Sequence, residues 1–228
     1  MKYYHSELNP KERILKVVED YLKPFLEKED FKFLKSQNMF KKNNDFFENH
    51  ISFFNNRYNH GNETVEFEIY INILSPKYKK WEKSFYGYEN KIGGTYIDGG
   101  NAGGFKNWSD EFLKVNWYSL VENDNEKLIS RIKENIQNVA IPYFNKFKKI
   151  DSALEELLKN NNDGNFLLIF DLLIIENNFD SAITFFEKNN QWFESELVKK
   201  DDDSYFGMNY KNNYLERKKE YEKIKNSH

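Results

Sequence analysis

Two carboxylates, Glu66 and Glu68, stand two residues apart in a segment where Val65, Phe67, Ile69, Ile71 and Ile73 alternate with polar positions. At the strand period of two, alternate side chains share a face, so Glu66, Glu68, Tyr70 and Asn72 lie side by side. Paired carboxylates are the machinery of glycoside hydrolysis. That chemistry needs them across a cleft, with one kept neutral in a desolvated pocket. Here they occupy the polar side of the strand. The pattern predicts a solvated sheet face, rimmed by acids with Tyr70 among them, and open to a partner.

Six of the ten glycines fall between Gly93 and Gly104. Phosphate-binding loops use glycine so that backbone N–H groups can reach an anion at a helix N-terminus. Neither a Walker pattern nor a dinucleotide fingerprint fits, because no Lys-Ser/Thr follows and the G-x-G-x-x-G register is absent. The segment reads as a surface loop or hairpin. Its functional alternative is a mobile lid over Gly93–Gly104, Gly99 and Gly100 included, with Phe105 and Trp108 as aromatic anchors and Trp108, Trp117 and Glu68 near a pocket.

Other chemistry is thin. His5, His50, His60 and His228 form no helical metal-binding pair, and Ser84, Ser109 and Ser119 lack a nucleophile-elbow context. The absence of cysteine excludes disulfides, thiolate metal sites and a Cys nucleophile. No catalytic residue, metal ligand or cofactor is therefore assigned.

The elements that must position these residues follow from periodicity and punctuation. Asn9, Pro10 and Glu12 form a helix start, and Ile14, Val17, Val18, Tyr21, Leu22 and Phe25 supply one apolar face. Pro24 should kink or end this helix. Strands are expected over residues 31–41 and 46–58, with Asn43-Asn44-Asp45 as the turn between them, and over Val65–Leu74. After the glycine-rich stretch comes a short strand near Trp117–Val121. A capping box at Asn123 and Glu126 then opens a long helix that Pro142 must bend. Asn160–Gly164 reads as a linker. Two helices follow, over 166–176 and 179–188, joined at Asn177-Asn178. The Ala182/Phe186 spacing is similar to tetratricopeptide packing, but a single unit makes no solenoid. The charged tail after Asp201-Asp202-Asp203 has Tyr214, Leu215, Tyr221 and Ile224 as its apolar positions.

Composition narrows the function classes. The net charge of −3 gives no support for a phosphate-backbone footprint, so nucleic acid is not an expected partner. The most apolar run, Phe166–Ile175, is half the length of a bilayer span, so no membrane partner is expected either. Met1–Pro10 has no apolar core of a secretory signal, and a cytoplasmic location is the default expectation. Aromatics reach 18%, in a chain with 31 Asn and 30 Lys but only four Ala and four Arg. This bias follows A/T-rich codons, and it places Phe and Tyr in core duty.

Several segments in order resemble the bacterial domain family catalogued as DUF4304: the first amphipathic helix, "FKFLKSQNMFKKNNDFF", "VEFEIYINIL", an irregular middle, "NWYSL" and the helix running into "VAIPYF". The resemblance covers about residues 10–150. Two departures stand out, Trp117-Tyr118 in place of a double Trp, and Ser36-Gln37-Asn38 where a glycine is usual. The resemblance implies an α+β fold and a bacterial source, and no chemistry.

The expected architecture is one α+β domain over residues 1–160, an antiparallel sheet of four or five strands with helices on one face, and a helical extension over 161–228. The expected function is a non-enzymatic protein-binding module, of the kind that neutralises a toxin. Its partner would be a protein bound through Glu66, Glu68, Tyr70, Trp108, Trp117, Gly99 and Gly100. The alternative is a small-ligand binder or enzyme with the glycine-rich segment as its lid.

Overall fold

The computed structural model describes residues 1–87, 96–160, 165–199 and 205–227. Residues 161–164 of the expected 160–164 linker, the acidic run at 201–203 and the glycines at 93 and 94 lie outside the described residues. In chain order the elements are α1 (Pro10–Val17), α2 (Lys23–Leu26), β1 (Lys32–Leu34), β2 (Met39–Asn43), β3 (Glu48–Asn55), β4 (Glu66–Leu74) and α3 (Pro76–Tyr86). Next come β5 (Tyr96–Asn101), β6 (Tyr118–Ser119), α4 (Asn125–Asn135), α5 (Ile141–Asn145), α6 (Ile150–Asn160), α7 (Phe166–Ile175), α8 (Phe179–Lys199) and α9 (Tyr205–Ser227). The fold is α+β, and its sheet is antiparallel throughout.

The chain divides into two compact units. One comprises Met1–Ser75 with Tyr96–Asn145, and the other Pro76–Thr95 with Lys146–His228. The second unit thus includes α3 and α6 as well as the helices expected after residue 160.

In the first unit the strand order is β1-β2-β3-β4-β5, with β6 also paired to β4. Val65, Phe67, Ile69, Ile71 and Ile73 are all buried, as the alternation requires. They share the core with Ile51 and Phe53 of β3 and with Ile14, Val17, Leu128 and Ile132 of α1 and α4. The stretch 31–41 is not one strand. A 3-10 turn at Lys35–Gln37 ends on Asn38 in the left-handed region (φ 46°), which reverses the chain and makes a β1–β2 hairpin. Asparagine tolerates that conformation because its short polar side chain bonds locally.

Both helix-interrupting prolines are accommodated by the same device. Immediately before α2 and α5 the chain widens into a π turn, Val18–Leu22 and Ile136–Ala140. The N–H groups of Lys23 and Ile141 bond five residues back, to the carbonyls of Val18 and Ile136. The wider turn absorbs the donor that Pro24 and Pro142 lack, and it relieves the ring's clash with the preceding turn. Asn9 caps α1 as expected, accepting from the Glu12 N–H at 3.1 Å. The cap of α4 is Asp124 and not Asn123. Its carboxylate accepts from the Lys127 N–H, while the Asn123 amide bonds back to the Ser119 carbonyl.

Lys114 and Trp117 exchange backbone hydrogen bonds of 3.0 and 2.9 Å around the two-residue loop Val115–Asn116. Val115 sits at φ 59° and is 90% exposed. A β-branched residue in left-handed backbone is strained by about 1–2 kcal/mol. Here no burial offsets that strain. Val115→Gly should therefore raise stability by about 0.5–1 kcal/mol, after the extra chain entropy of glycine is deducted. A shift of the urea midpoint to higher concentration, with unchanged slope, checks this.

The second unit is helical among its described residues. α7 is buried on nearly every side, from Phe166 to Ile174. That is the behaviour of a helix apolar all round at the centre of a bundle. Phe166 stacks on Phe193 of α8 at 4.6 Å, and Phe186 stacks on Tyr221 of α9 at 4.5 Å. Ala182 and Phe186 are both buried, and Tyr214 and Ile224 dock α9.

Candidate functional site

Strand β4 positions the two carboxylates, and asparagines from neighbouring segments hold them. Glu66 Oε2 accepts from the Asn56 side chain at 2.7 Å. Asn59 brackets the Glu66 backbone, accepting from its N–H at 2.7 Å and donating to its carbonyl at 2.8 Å. Glu68 Oε2 accepts from the Asn101 side chain at 2.8 Å, and Asn101 in turn accepts from the Gly103 N–H. Among the described residues neither Glu66 nor Glu68 makes an ion pair. Both carboxylates thus keep uncompensated charge while their positions are fixed by neutral amides.

Aromatic rings border them on the same face. Phe54 lies opposite Glu68 across the β3–β4 ladder and is 50% exposed. It meets Tyr70 edge-on at 5.3 Å. One register step along, Ser52 pairs with Tyr70 and His50 with Asn72. His50 contacts Glu48 at 3.2 Å, and Glu48 also holds Lys41 at 2.7 Å. Burial pushes the His50 pKa down, against the pull of Glu48. The imidazole is therefore neutral at pH 7, and this end of the face is balanced. On this face the carboxylates without an ion pair among the described residues are Glu66 and Glu68.

The remaining sequence-predicted residues separate from this cluster. Trp108 is buried and is no exposed anchor. Its indole N–H donates to the Tyr118 hydroxyl at 2.7 Å, and Tyr118 donates to Asp110 at 2.5 Å. Asn135 completes the network, donating to Asp110 and to the Ser109 carbonyl. Burial, and then Asp110, push the Tyr118 pKa up, so the phenol remains a donor. Burial likewise raises the Asp110 pKa, opposed by the Tyr118 hydroxyl. Trp117 is half-buried in the hairpin beside Val115. Gly99 and Gly100 lie in strand β5, paired with Asn72 and Ile71. The described part of the glycine-rich segment is thus a strand followed by a 3-10 turn at Ala102–Gly104. Among the described residues no group of three or more His, Asp or Glu could hold a metal ion.

The second unit holds a charged centre absent from the sequence-based expectations. Asp171, in the middle of α7, is fully buried and accepts from Tyr78 (2.6 Å), Tyr86 (2.7 Å) and both Nε and Nη2 of Arg217. Arg217 Nη2 also reaches Glu82 at 2.7 Å, and its guanidinium lies 4.3 Å from the centre of the Tyr86 ring. Burial opposes the charge on Arg217, but Asp171 outweighs it and holds its pKa well above the ordinary value. Burial, and then the carboxylate, raise the pKa of Tyr78 and of Tyr86. Two signals in the sequence mark this centre: a lone acid in the run "FLLIFDLLII", and one of only four arginines in a chain that otherwise uses lysine.

Beside this centre α3, α7, α8 and α9 line a cavity of about 350 Å³ that is open to solvent on one side, bordered chiefly by Trp81, Phe85, Ile174, Phe179 and Ile224. Among the described residues no helix is long and apolar enough to cross a membrane. No family model matches the chain, and neither a curated protein nor a solved structure shows significant similarity to it.

Proposed function

We propose that the chain is a protein-binding module that docks a lysine- or arginine-bearing surface of its partner through the face formed by Phe54, Glu66, Glu68 and Tyr70. The observation that carries this reading is the pair of carboxylates held in place by amides with no ion pair among the described residues, next to an exposed Phe54. Carboxylates already positioned by Asn56 and Asn101 lose little side-chain freedom on binding, and unpaired charge steers a basic partner. Phe54 and Tyr70 supply the apolar contact that charge alone does not. Neutralisation of a basic toxin is the specific form of this role, and the resemblance to the DUF4304 family belongs to the same proposal.

The test is capture of a basic partner from a native lysate at low and moderate salt, compared with a Glu66→Gln/Glu68→Gln variant. The reading expects one stoichiometric partner, released as salt rises. It also expects about a tenfold loss of affinity in the variant at low salt, with a flattened salt dependence. Equal capture by the variant would overturn the role of the face. If the partner is a toxin, co-expression should protect cells from it.

A further inference from the structure

We propose that the helical unit carries a binding site for a small, uncharged, mainly apolar molecule with an aromatic ring, in the cavity beside the buried Arg217 centre. The site is independent of the sheet-face reading.

The cavity is built one helical turn away from the charged centre on each of three helices. On α7, Asp171 is followed at three and four residues by the lining residues Ile174 and Ile175. On α9, Arg217 is followed at three and seven by Glu220 and Ile224. On α3, Tyr78 and Glu82 are each followed at three, by Trp81 and Phe85. Residues at these spacings lie on one helix face. The bonds that fix the mutual register of α3, α7 and α9 therefore also fix the walls of the cavity. Its volume of about 350 Å³ is at the scale of a small-molecule site.

The lining selects the ligand. Trp81 and Phe85 stack on each other at 4.7 Å and present aromatic surface, and Ile174, Phe179 and Ile224 supply aliphatic and ring contacts. The two charged lining residues cancel, since Lys223 pairs with Glu220 at 3.3 Å. The helix termini cancel as well. α7 ends at Ile175, Asn177 follows in left-handed backbone (φ 55°), and α8 begins at Phe179, so a negative and a positive helix end meet at one joint. A ligand of either charge would lose part of its hydration to the apolar walls and gain no net opposite charge in return. An uncharged ring avoids that cost, and Asn177 and Ser227 on the lining offer polar groups to orient it.

A matched series tests both the site and its selectivity: indole, its anionic analogue indole-3-acetate and its cationic analogue tryptamine, titrated into the full chain by calorimetry and ligand-observed NMR. Indole should bind at least tenfold more tightly than either charged analogue. Filling the cavity with Ile174→Trp should abolish indole binding, with helicity monitored by circular dichroism. Lys223→Glu, at a side chain that is 73% exposed, leaves the core untouched. It should move the preference from indole to tryptamine, because it breaks the charge balance. Failure of indole to bind, preference for a charged analogue by the unaltered chain, or unchanged selectivity in Lys223→Glu would each overturn the proposal.

Discussion

Arg217→Ala is expected to cost about 3–5 kcal/mol, enough to unfold much of the helical unit at 37 °C. Asp171 has no exposure to solvent, and the guanidinium donates to it through both Nε and Nη2. Removing the cation leaves a carboxylate in an apolar helix with only the Tyr78 and Tyr86 hydroxyls. Glu82, 3% exposed at its side chain, loses the same partner. Arg217→Lys should recover only part of the loss, since an ammonium cannot reproduce the planar fork that reaches Asp171 and Glu82 together. The informative contrast is a concerted apolar replacement of Arg217, Asp171 and Glu82, with Tyr78→Phe and Tyr86→Phe so that no hydroxyl is orphaned. Buried ion pairs balance a large desolvation penalty, and that variant should lie within about 2 kcal/mol of the starting chain. Urea denaturation followed by circular dichroism measures both effects. Hydrogen exchange should place the loss of protection in α3, α7 and α9. If Arg217→Ala costs less than about 1 kcal/mol, the cluster does not hold these helices.

Gly99→Ala should be the most damaging small substitution in the sheet, at about 3 kcal/mol or more. Gly99 has φ 132°, a conformation that L side chains rarely adopt. A Cβ there would stand 2.2 Å from the Ile71 carbonyl oxygen and 2.8 Å from the Asn72 Cα, both backbone atoms of β4. Neither can move without disturbing the ladder that carries Glu68 and Tyr70. Gly104→Ala is the control, because a Cβ there meets nothing within 4 Å and the change should stay within about 0.5 kcal/mol. Comparing the urea midpoints of the two variants decides the matter. Equal effects would mean that the close approach of β5 to β4 is not a constraint.

The two cases also separate what was legible. The alternation of Val65–Ile73 with Glu66–Asn72 is a local property, and it correctly placed five residues in the core and the acids on the opposite face. The Asn9 cap was readable in the same way, whereas the tail's apolar positions left open whether it packs, and the burial of Tyr214 and Ile224 was decided by the fold. The glycines read as a surface loop or hairpin because glycine breaks regular structure in most contexts. What makes Gly99 necessary is the backbone of a strand 27 residues earlier, which no local window contains. Trp108 read as an exposed anchor for a similar reason. Its position beside a glycine-rich stretch says nothing of Tyr118 and Asp110, which enclose its indole. Asn123 and Asp124 are equivalent as caps by residue type, and the cap fell to Asp124 because the Asn123 side chain is already bonded to the Ser119 carbonyl.

Residue types and periods by themselves determined the α+β class, the antiparallel sheet with its acidic strand face, and the start of the first helix. These depend on interactions within a few residues, where hydrophobic periodicity and capping chemistry are strong. Tertiary structure alone decided which asparagines hold Glu66 and Glu68, which strand requires Gly99, and that Asp171 of one apolar helix meets Arg217 of another 46 residues away. Each of those is a pairing between distant segments. Its energy depends on burial and desolvation, quantities that exist only once the chain has closed around the site.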